Sequence, residues 1–533
     1  MKKYTTKSIV DMKRILILFF FLSSNVTFGQ LTDSQLIDSL QVDVLKYFWD
    51  HAHPISKLSR ERIHEDDWSF DQNTIAIGGS GFGFMNIIVG MQNGIIPQSD
   101  GVAHLNTALD FLENADRFHG AWSHWINGDT GATIPFSDFD DGGDLVETAL
   151  LCQALICIRE YFENGNSQEQ LLAQKADLLW RGVEWNWYTN GENVLYWHWS
   201  PNYDWEMDFQ IRGYNEALIT YILAASSPDY PISTNVYHEG WARGGDIVSS
   251  SSQYDIPLVF NHNGADETVG PLFWAHYSYL ALDPNGLSDS YANYWDLVRN
   301  HTDIIYEHCQ ENLFEYVGYD NNCWGLTASY SRNLDGTTGY SAHQPNNDKG
   351  VVTPTAALSS IAYSPTKSLN FMHYLYEETG DEYIGALGPY DAFSPHYEWK
   401  TERYLAIDQG TIGPMLENYK TQLFWNLFMN APEIKQGLQN LGFTSSEYDL
   451  GVAEDIAHNS IQIFPNPALD MLNIISNTES IGSKFRVIDN LGRMVLFGSI
   501  AQENTIVDIN SLSKGVYYIM IENQSVKQKI MKM

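Results

Sequence analysis

The chain has 533 residues, too long for one ordinary domain and long enough for two or three. Its formal net charge of -36 opposes phosphate backbones and polyanionic polymers, which excludes nucleic acid as a partner and disfavours uronic-acid substrates. Aromatic residues make up 14%, with 16 Trp and 31 Tyr, a composition suited to neutral, hydroxyl-rich ligands: rings stack on apolar sugar faces and carboxylates accept hydroxyl protons.

Residues 1–30 read as a secretory signal peptide. Lys13 and Arg14 precede an apolar run, Ile15 to Leu22, that is too short to span a bilayer, and small and polar residues follow through Gly29. No later stretch has the length and apolarity of a transmembrane helix, so no membrane insertion of the mature protein is expected. Cys152, Cys157, Cys309 and Cys323 are too few for a disulfide framework, although Cys309 and Cys323 could pair in an oxidising compartment.

From residue 31 to 441 the hydrophobic period is helical. Leu36, Leu40, Val44 and Phe48 recur every fourth residue behind a cap at Thr32 or Asp33. Further helices are predicted near 81–93, 104–118, 144–163, 167–188, 213–226, 270–282, 290–312, 355–378, 415–429 and 432–441. Many helices, long loops and no βαβ alternation predict an α/α toroid, an inner ring of helices within an outer one, with its site in the loops at one end. Residues 442–459 read as a linker. From 460 to 533 short alternating strands and turns predict a small β-sandwich.

Asp138, Asp140, Asp141, Asp144 and Glu147 crowd the start of one predicted helix. A helix beginning near Asp140 would point Asp140, Asp144 and Glu147 from one face. Capping and the helix dipole also favour acids there, so the cluster by itself leaves both readings open. Glu216 sits in an apolar predicted helix, where a carboxyl must be partnered or have a raised pKa; a raised pKa suits a general acid, a partner suits a structural role. Asp408, ahead of Gln409 and Gly410, could orient water or cap a helix. The segment Tyr390 to Ser394 stands near it.

Gly78 to Gly83 lacks the spacing and frame of a nucleotide loop; its glycines could instead let helices or a ligand approach closely. His51, His53 and His64 lack a third or fourth ligand at a telling spacing, so no metal site is expected. Tyr196 to Trp199 forms an aromatic strip with His198 inside it.

These motifs together resemble the bacterial glucoamylase-like domain, and within it glycoside hydrolase family 144, the β-1,2-glucanases. The resemblance rests on Tyr47 to Pro54 with Arg60 and Arg62, Ile77 to Phe84, Asp140 to Glu147, Tyr214 to Glu216, Tyr237 to Trp241, Thr353 to Ala357, Ile407 to Gly410 and Glu417 to Trp425, in order over nearly all of 40–435. It implies an (α/α)6 barrel over 31–441, an inverting mechanism without a cofactor, and linear β-1,2-glucan as substrate. The family's acids carry over to Asp140, Asp144, Glu147 and Glu216, with Asp408 added. Glu216 is the expected general acid and one of the aspartates the base; Arg60, Arg62, Trp197, Trp199, Tyr214 and Trp241 are the expected sugar contacts. Endo action is expected, with exo action releasing sophorose as the alternative. A polysaccharide lyase or a non-catalytic glucan-binding surface protein would also suit parts of the pattern.

The tail, through Phe464 to Asp470, Asp489 to Arg493, Gly515 to Tyr518 and the basic end Lys527 to Lys532, resembles the C-terminal sorting domain of the type IX secretion system. That implies export across an outer membrane, with the type IX machinery as a partner.

Overall fold

The computed structural model describes residues 31–450 except 266 and 381, and residues 462–532 except 465–467, 477–479, 490–492, 503 and 522–526. The expected signal peptide and residues 451–459 of the expected linker lie outside the described residues.

Twelve α-helices are described. They are α1 (Asp33–Trp49), α2 (Ile77–Gln92), α3 (Gln98–Asn114), α4 (Leu145–Phe162), α5 (Ser167–Arg181), α6 (Leu218–Ser226), α7 (Tyr294–Glu311), α8 (Pro354–Leu358), α9 (Pro365–His373), α10 (Ala406–Thr421), α11 (Leu423–Asn430) and α12 (Pro432–Asn440). They divide by burial. From Ile77 to Met91, α2 has no exposed face, and neither has α4 from Leu145 to Ile158, nor α6, nor α8. A helix apolar all round must be enclosed by others. By contrast α1, α3, α5 and α7 bury one stripe and show the other to water. Enclosed helices surrounded by amphipathic ones bear out the mainly helical toroid.

Local signals set several boundaries. Thr32 and Gln35 form a reciprocal capping box at α1, and Asn166 and Glu169 another at α5. The predicted 355–378 helix is broken instead into α8, α9 and a π-turn at Tyr374–Glu378, because Pro365 cannot continue the ladder from α8. The 270–282 segment forms two 3-10 turns, Leu272–Ala275 and Tyr277–Leu280.

The glycines of α2 serve helix packing. A Cβ on Gly81 would lie 2.6 Å from the Leu150 carbonyl oxygen of α4, so only glycine admits this approach.

The tail is strand-rich, as expected. Gln462–Phe464, Met471–Ile475 and Asn504–Asp508 form one antiparallel sheet. Met494–Ser499, Lys484–Asp489, Gly515–Ile521 and Lys527–Lys532 form the other. Leu472, Ile474 and Val507 of the first share one apolar core with Val487, Ile519 and Ile530 of the second. Among the described residues no helix is long and apolar enough to cross a membrane.

Candidate active site

The acid cluster is assembled by a loop and a helix start, rather than by one helical face. The helix begins at Leu145, so Asp140 lies outside it, held by a bridge to Ser137. Gly143 and Asp144 pair instead as a short strand with Trp199 and His198, so the helix does not extend backward to Asp140. Asp144 is the N-cap: its Oδ1 accepts from the Val146 and Glu147 amides at 3.0 and 2.9 Å. Its Oδ2 takes the Nδ1–H of His124 at 2.9 Å and lies 3.8 Å from His198 Nδ1. His198 Nδ1 also faces Asp140 Oδ1 at 3.2 Å. Among the described residues neither oxygen of the buried Asp140 carboxyl has a hydrogen-bond partner. Glu147 accepts the Gly78 amide at 2.7 Å and faces His124 Nε2 at 4.0 Å.

This packing sets the proton affinities. Burial opposes charge on His124, yet Glu147, Asp144 and Asp140 bring its pKa up to about 9. Burial would raise the Asp144 carboxyl, but the His124 hydrogen bond and the His198 charge hold it below the usual carboxylate value. Glu147 is pushed up to about 7 by burial, against the opposing pull of His124. His124, Asp140 and Asp144 offer ligand atoms within 4.8 Å of one another and could hold a cation. The protonated His124 imidazole already supplies compensating charge there.

Glu216 lies in the turn just before α6, not inside a helix. Asn215 stops the helix short by accepting the Ala217 amide at 3.0 Å through its side chain. Glu216 is half-buried, and burial, reinforced by the charges of Glu147 and Asp144, raises it to about 7. Its charge also acts on Tyr277 and Tyr340, two residues that line the cavity below. Asp408 is in the first turn of α10, buried, and accepts Tyr277 OH at 3.2 Å through Oδ1.

The cavity holds about 750 Å3. Glu147, Glu61, Arg62 and His124 line it with Trp125, Phe136, Tyr277, Tyr330 and Tyr340. Arg62, one of the expected sugar contacts, lines this cavity and is in a side-chain pair with Glu61. Arg60 is turned away, its Nε on the His51 carbonyl at 3.1 Å. Trp197 lies beside His198, their ring centroids 6.0 Å apart, and both stack on Phe209, at 5.1 and 6.2 Å; Trp199 packs instead against His119 and Trp187. Two expected sugar contacts are corrected. Tyr214 and Trp241 are fully buried in the core, Tyr214 against His262 and Trp241 against Tyr221. Their apolar bodies are worth more in the packed interior than at a surface. The walls that sequence reasoning missed, Trp125, Phe136, Tyr330 and Tyr340, sit on short strands and loops without a strong period.

A helical toroid with a carboxyl-rich, aromatic-walled cavity has the makings of a carbohydrate-active protein. The Glycoamylase family profile matches residues 208–432, and the secretion system C-terminal sorting domain profile matches 462–533. An endo-β-1,2-glucanase from Chitinophaga pinensis, solved with sophorotriose and glucose, is 50% identical, with 78% of this chain and 100% of that one covered and a TM-score of 0.76. A β-1,2-glucanase structure from Parabacteroides distasonis is 38% identical, covering 77% of this chain and 60% of that one, with a TM-score of 0.72. An exo β-1,2-glucooligosaccharide sophorohydrolase (non-reducing end) of the same organism is 39% identical over 429 residues, 77% of this chain; the chain spans 58% of that relative's length. The chain belongs to the glucoamylase-like family of these β-1,2-glucanases, glycoside hydrolase family 144. It carries a type IX sorting domain, and its destination is the cell surface or the surrounding medium.

Proposed function

We propose that the protein is a secreted hydrolase of linear β-1,2-glucan, endo-acting and inverting. The observation that carries this reading is Glu216: a half-buried carboxyl raised to about 7 by burial and by the charges of Glu147 and Asp144, carboxyls of a different element. At neutral pH such a group still carries the proton that a glycosidic oxygen needs. The 50% identity to the Chitinophaga pinensis endo-β-1,2-glucanase supports the substrate.

In this mechanism Glu216 gives its proton to the glycosidic oxygen as the C1–O bond breaks. Water attacks C1 from the opposite face, and its proton passes to the cluster of Asp140, Asp144 and Glu147. Asp144 is the member held ionised, and Glu147 the member lining the cavity. His124, held protonated by the cluster, keeps its charge bearable. The released end carries the inverted, α configuration. Arg62 and the aromatic walls would hold the glucose units.

The second reading, exo action releasing sophorose, is favoured by the 39% identity to the sophorohydrolase. Resolving early products of linear β-1,2-glucan by size decides between them. A ladder of oligosaccharides is expected; disaccharide alone from the first minutes would establish exo action, and no product from folded protein would overturn the assignment.

A further inference from the structure

The loop that carries Asp140 also carries a ring the mechanism above does not use. Phe136 and Phe139 stand on one turn, closed by the Phe136 amide on the Asp140 carbonyl at 2.9 Å and by the Asp140 amide on the Ser137 carbonyl at 3.1 Å. Phe136 lines the cavity. Phe139, between Phe136 and the buried Asp140, is not part of the cavity wall and is 42% exposed. Its ring meets that of Tyr203 edge to face, 5.2 Å apart at 87°, and Tyr203 is 48% exposed.

Tyr203 comes from a different loop, and Asp141 ties the two together. Its Oδ1 accepts the Ser200 hydroxyl, and its Oδ2 accepts the Asn202 side-chain amide at 2.7 Å. Ser200 Oγ in turn accepts the Asn202 and Tyr203 amides at 3.0 and 2.9 Å. The Ser200 amide donates to the Asp204 carbonyl at 3.0 Å. At the junction, a Cβ on Gly142 would lie 2.2 Å from the Trp199 carbonyl oxygen, so only glycine lets the loops meet this closely. Loops tied at this many points have little ordering left to lose when a ligand binds.

Exposed apolar side chains scattered singly need no explanation. Phe139 and Tyr203 are instead paired, and a crossed pair leaves ring faces open to the apolar face of a pyranose. Their neighbours in sequence, Asp138 and Asp204, are exposed acids, which accept hydroxyl protons and repel an acidic polymer. A cavity of about 750 Å3 takes a short oligosaccharide, so the rest of a bound polymer has to cross the rim. At Phe136 that rim runs on into the turn that bears Phe139.

We propose that Phe139 and Tyr203 form an outer sugar-binding platform, a subsite for glucosyl units of a β-1,2-glucan chain that extend past the cavity. The ring faces stack on the sugars, the Tyr203 hydroxyl exchanges hydrogen bonds with theirs, and Asp141 holds the two loops in register. The choice of glucan as occupant rests on the hydrolase reading.

Calorimetric titration of the full chain carrying Glu216→Gln, which slows turnover, tests the platform. The titrants are linear β-1,2-glucan and a β-1,2-linked trisaccharide. Adding Phe139→Ala and Tyr203→Ala together should weaken binding of the polymer by about three- to tenfold, and of the trisaccharide by less than about twofold. Phe139→Leu with Tyr203→Leu should weaken the polymer as much, because apolar bulk without a ring face does not stack. Phe139→Tyr with Tyr203→Phe, which keeps both rings, should bind the polymer within about twofold of the parent. Melting temperatures should stay together across the set, since both rings are half exposed. Unchanged polymer affinity in the alanine pair overturns the platform, as does full affinity in the leucine pair. Equal losses for polymer and trisaccharide would put the rings inside the cavity and overturn an outer subsite, and no binding of the polymer by the parent would overturn the ligand. Wild-type protein that binds the polymer through these rings but releases no product would count against the hydrolase reading alone.

Discussion

His124 Nδ1 donates to Asp144 Oδ2 at 2.9 Å, while the other oxygen of Asp144 caps the helix that carries Glu147. One carboxylate therefore fixes the helix start and the charge of the imidazole above it. The cap and the site are the same residue, so the position of Glu147 depends on the protonation of a pair one turn away.

That pairing has a pH signature. The His124 pKa is about 9 in the folded chain against 6.5 unfolded, so its stabilisation is fully present below pH 6.5 and is lost as pH rises through 9. His124→Gln should cost on the order of 1–3 kcal/mol at pH 6 and much less at pH 10. Urea unfolding of both proteins at the two pH values checks this.

Glu216→Gln should lower kcat by about a hundredfold or more with KM little changed. The same substitution should stabilise the protein at alkaline pH. The folded pKa of about 7 exceeds the ordinary 4.5, so the native state binds the proton more tightly and loses stability as pH rises from 4.5 through 7. Gln avoids the ionisation, and the melting temperature at pH 8 should rise by a few degrees, at roughly 1–3 kcal/mol. A melting curve of each protein at pH 5 and pH 8 reads the difference, which should be small at pH 5.

Gly81→Ala tests the helix contact beneath the site. Its Cβ would meet the Leu150 carbonyl oxygen at 2.6 Å and the Leu151 Cα at 2.7 Å, and backbone cannot yield as a side-chain tip can. A loss of about 1–3 kcal/mol in denaturant unfolding is expected.

Phe136 and Trp241 separate wall from core. Phe136 is 48% exposed and its ring lies 4.1 Å from that of His124, at the cavity. Phe136→Ala should raise KM for β-1,2-glucan several-fold, at about 0.5–1.5 kcal/mol, with unchanged melting. Trp241→Ala should instead cost about 3–5 kcal/mol of stability, because the ring is wholly enclosed. Kinetics and melting curves on both variants distinguish the two roles.

The helical rings were legible because burial writes a clear period into α1 and α7 and unbroken apolarity into α4 and α6. The acids at Asp140, Asp144 and Glu147 were legible as a cluster; their geometry was not, since it depends on a cap that starts the helix four residues later than Asp140 would suggest. His124, Tyr330 and Asp391 gave little local signal. They reach the site through tertiary pairing, His124 across 20 residues to Asp144 and Tyr330 across 61 to Asp391. Trp241 and Tyr214 misled for the converse reason: aromatic rings that could stack on sugar are equally suited to a packed interior.

The account turns on Glu216 protonating a bond that water attacks from the other side. Proton NMR of linear β-1,2-glucan mixed with the enzyme, recorded before mutarotation equilibrates the new reducing ends, tests it most directly. The α anomer should appear first, with the β anomer growing only as mutarotation proceeds. A first-formed β anomer, or no new reducing end at all, would contradict it.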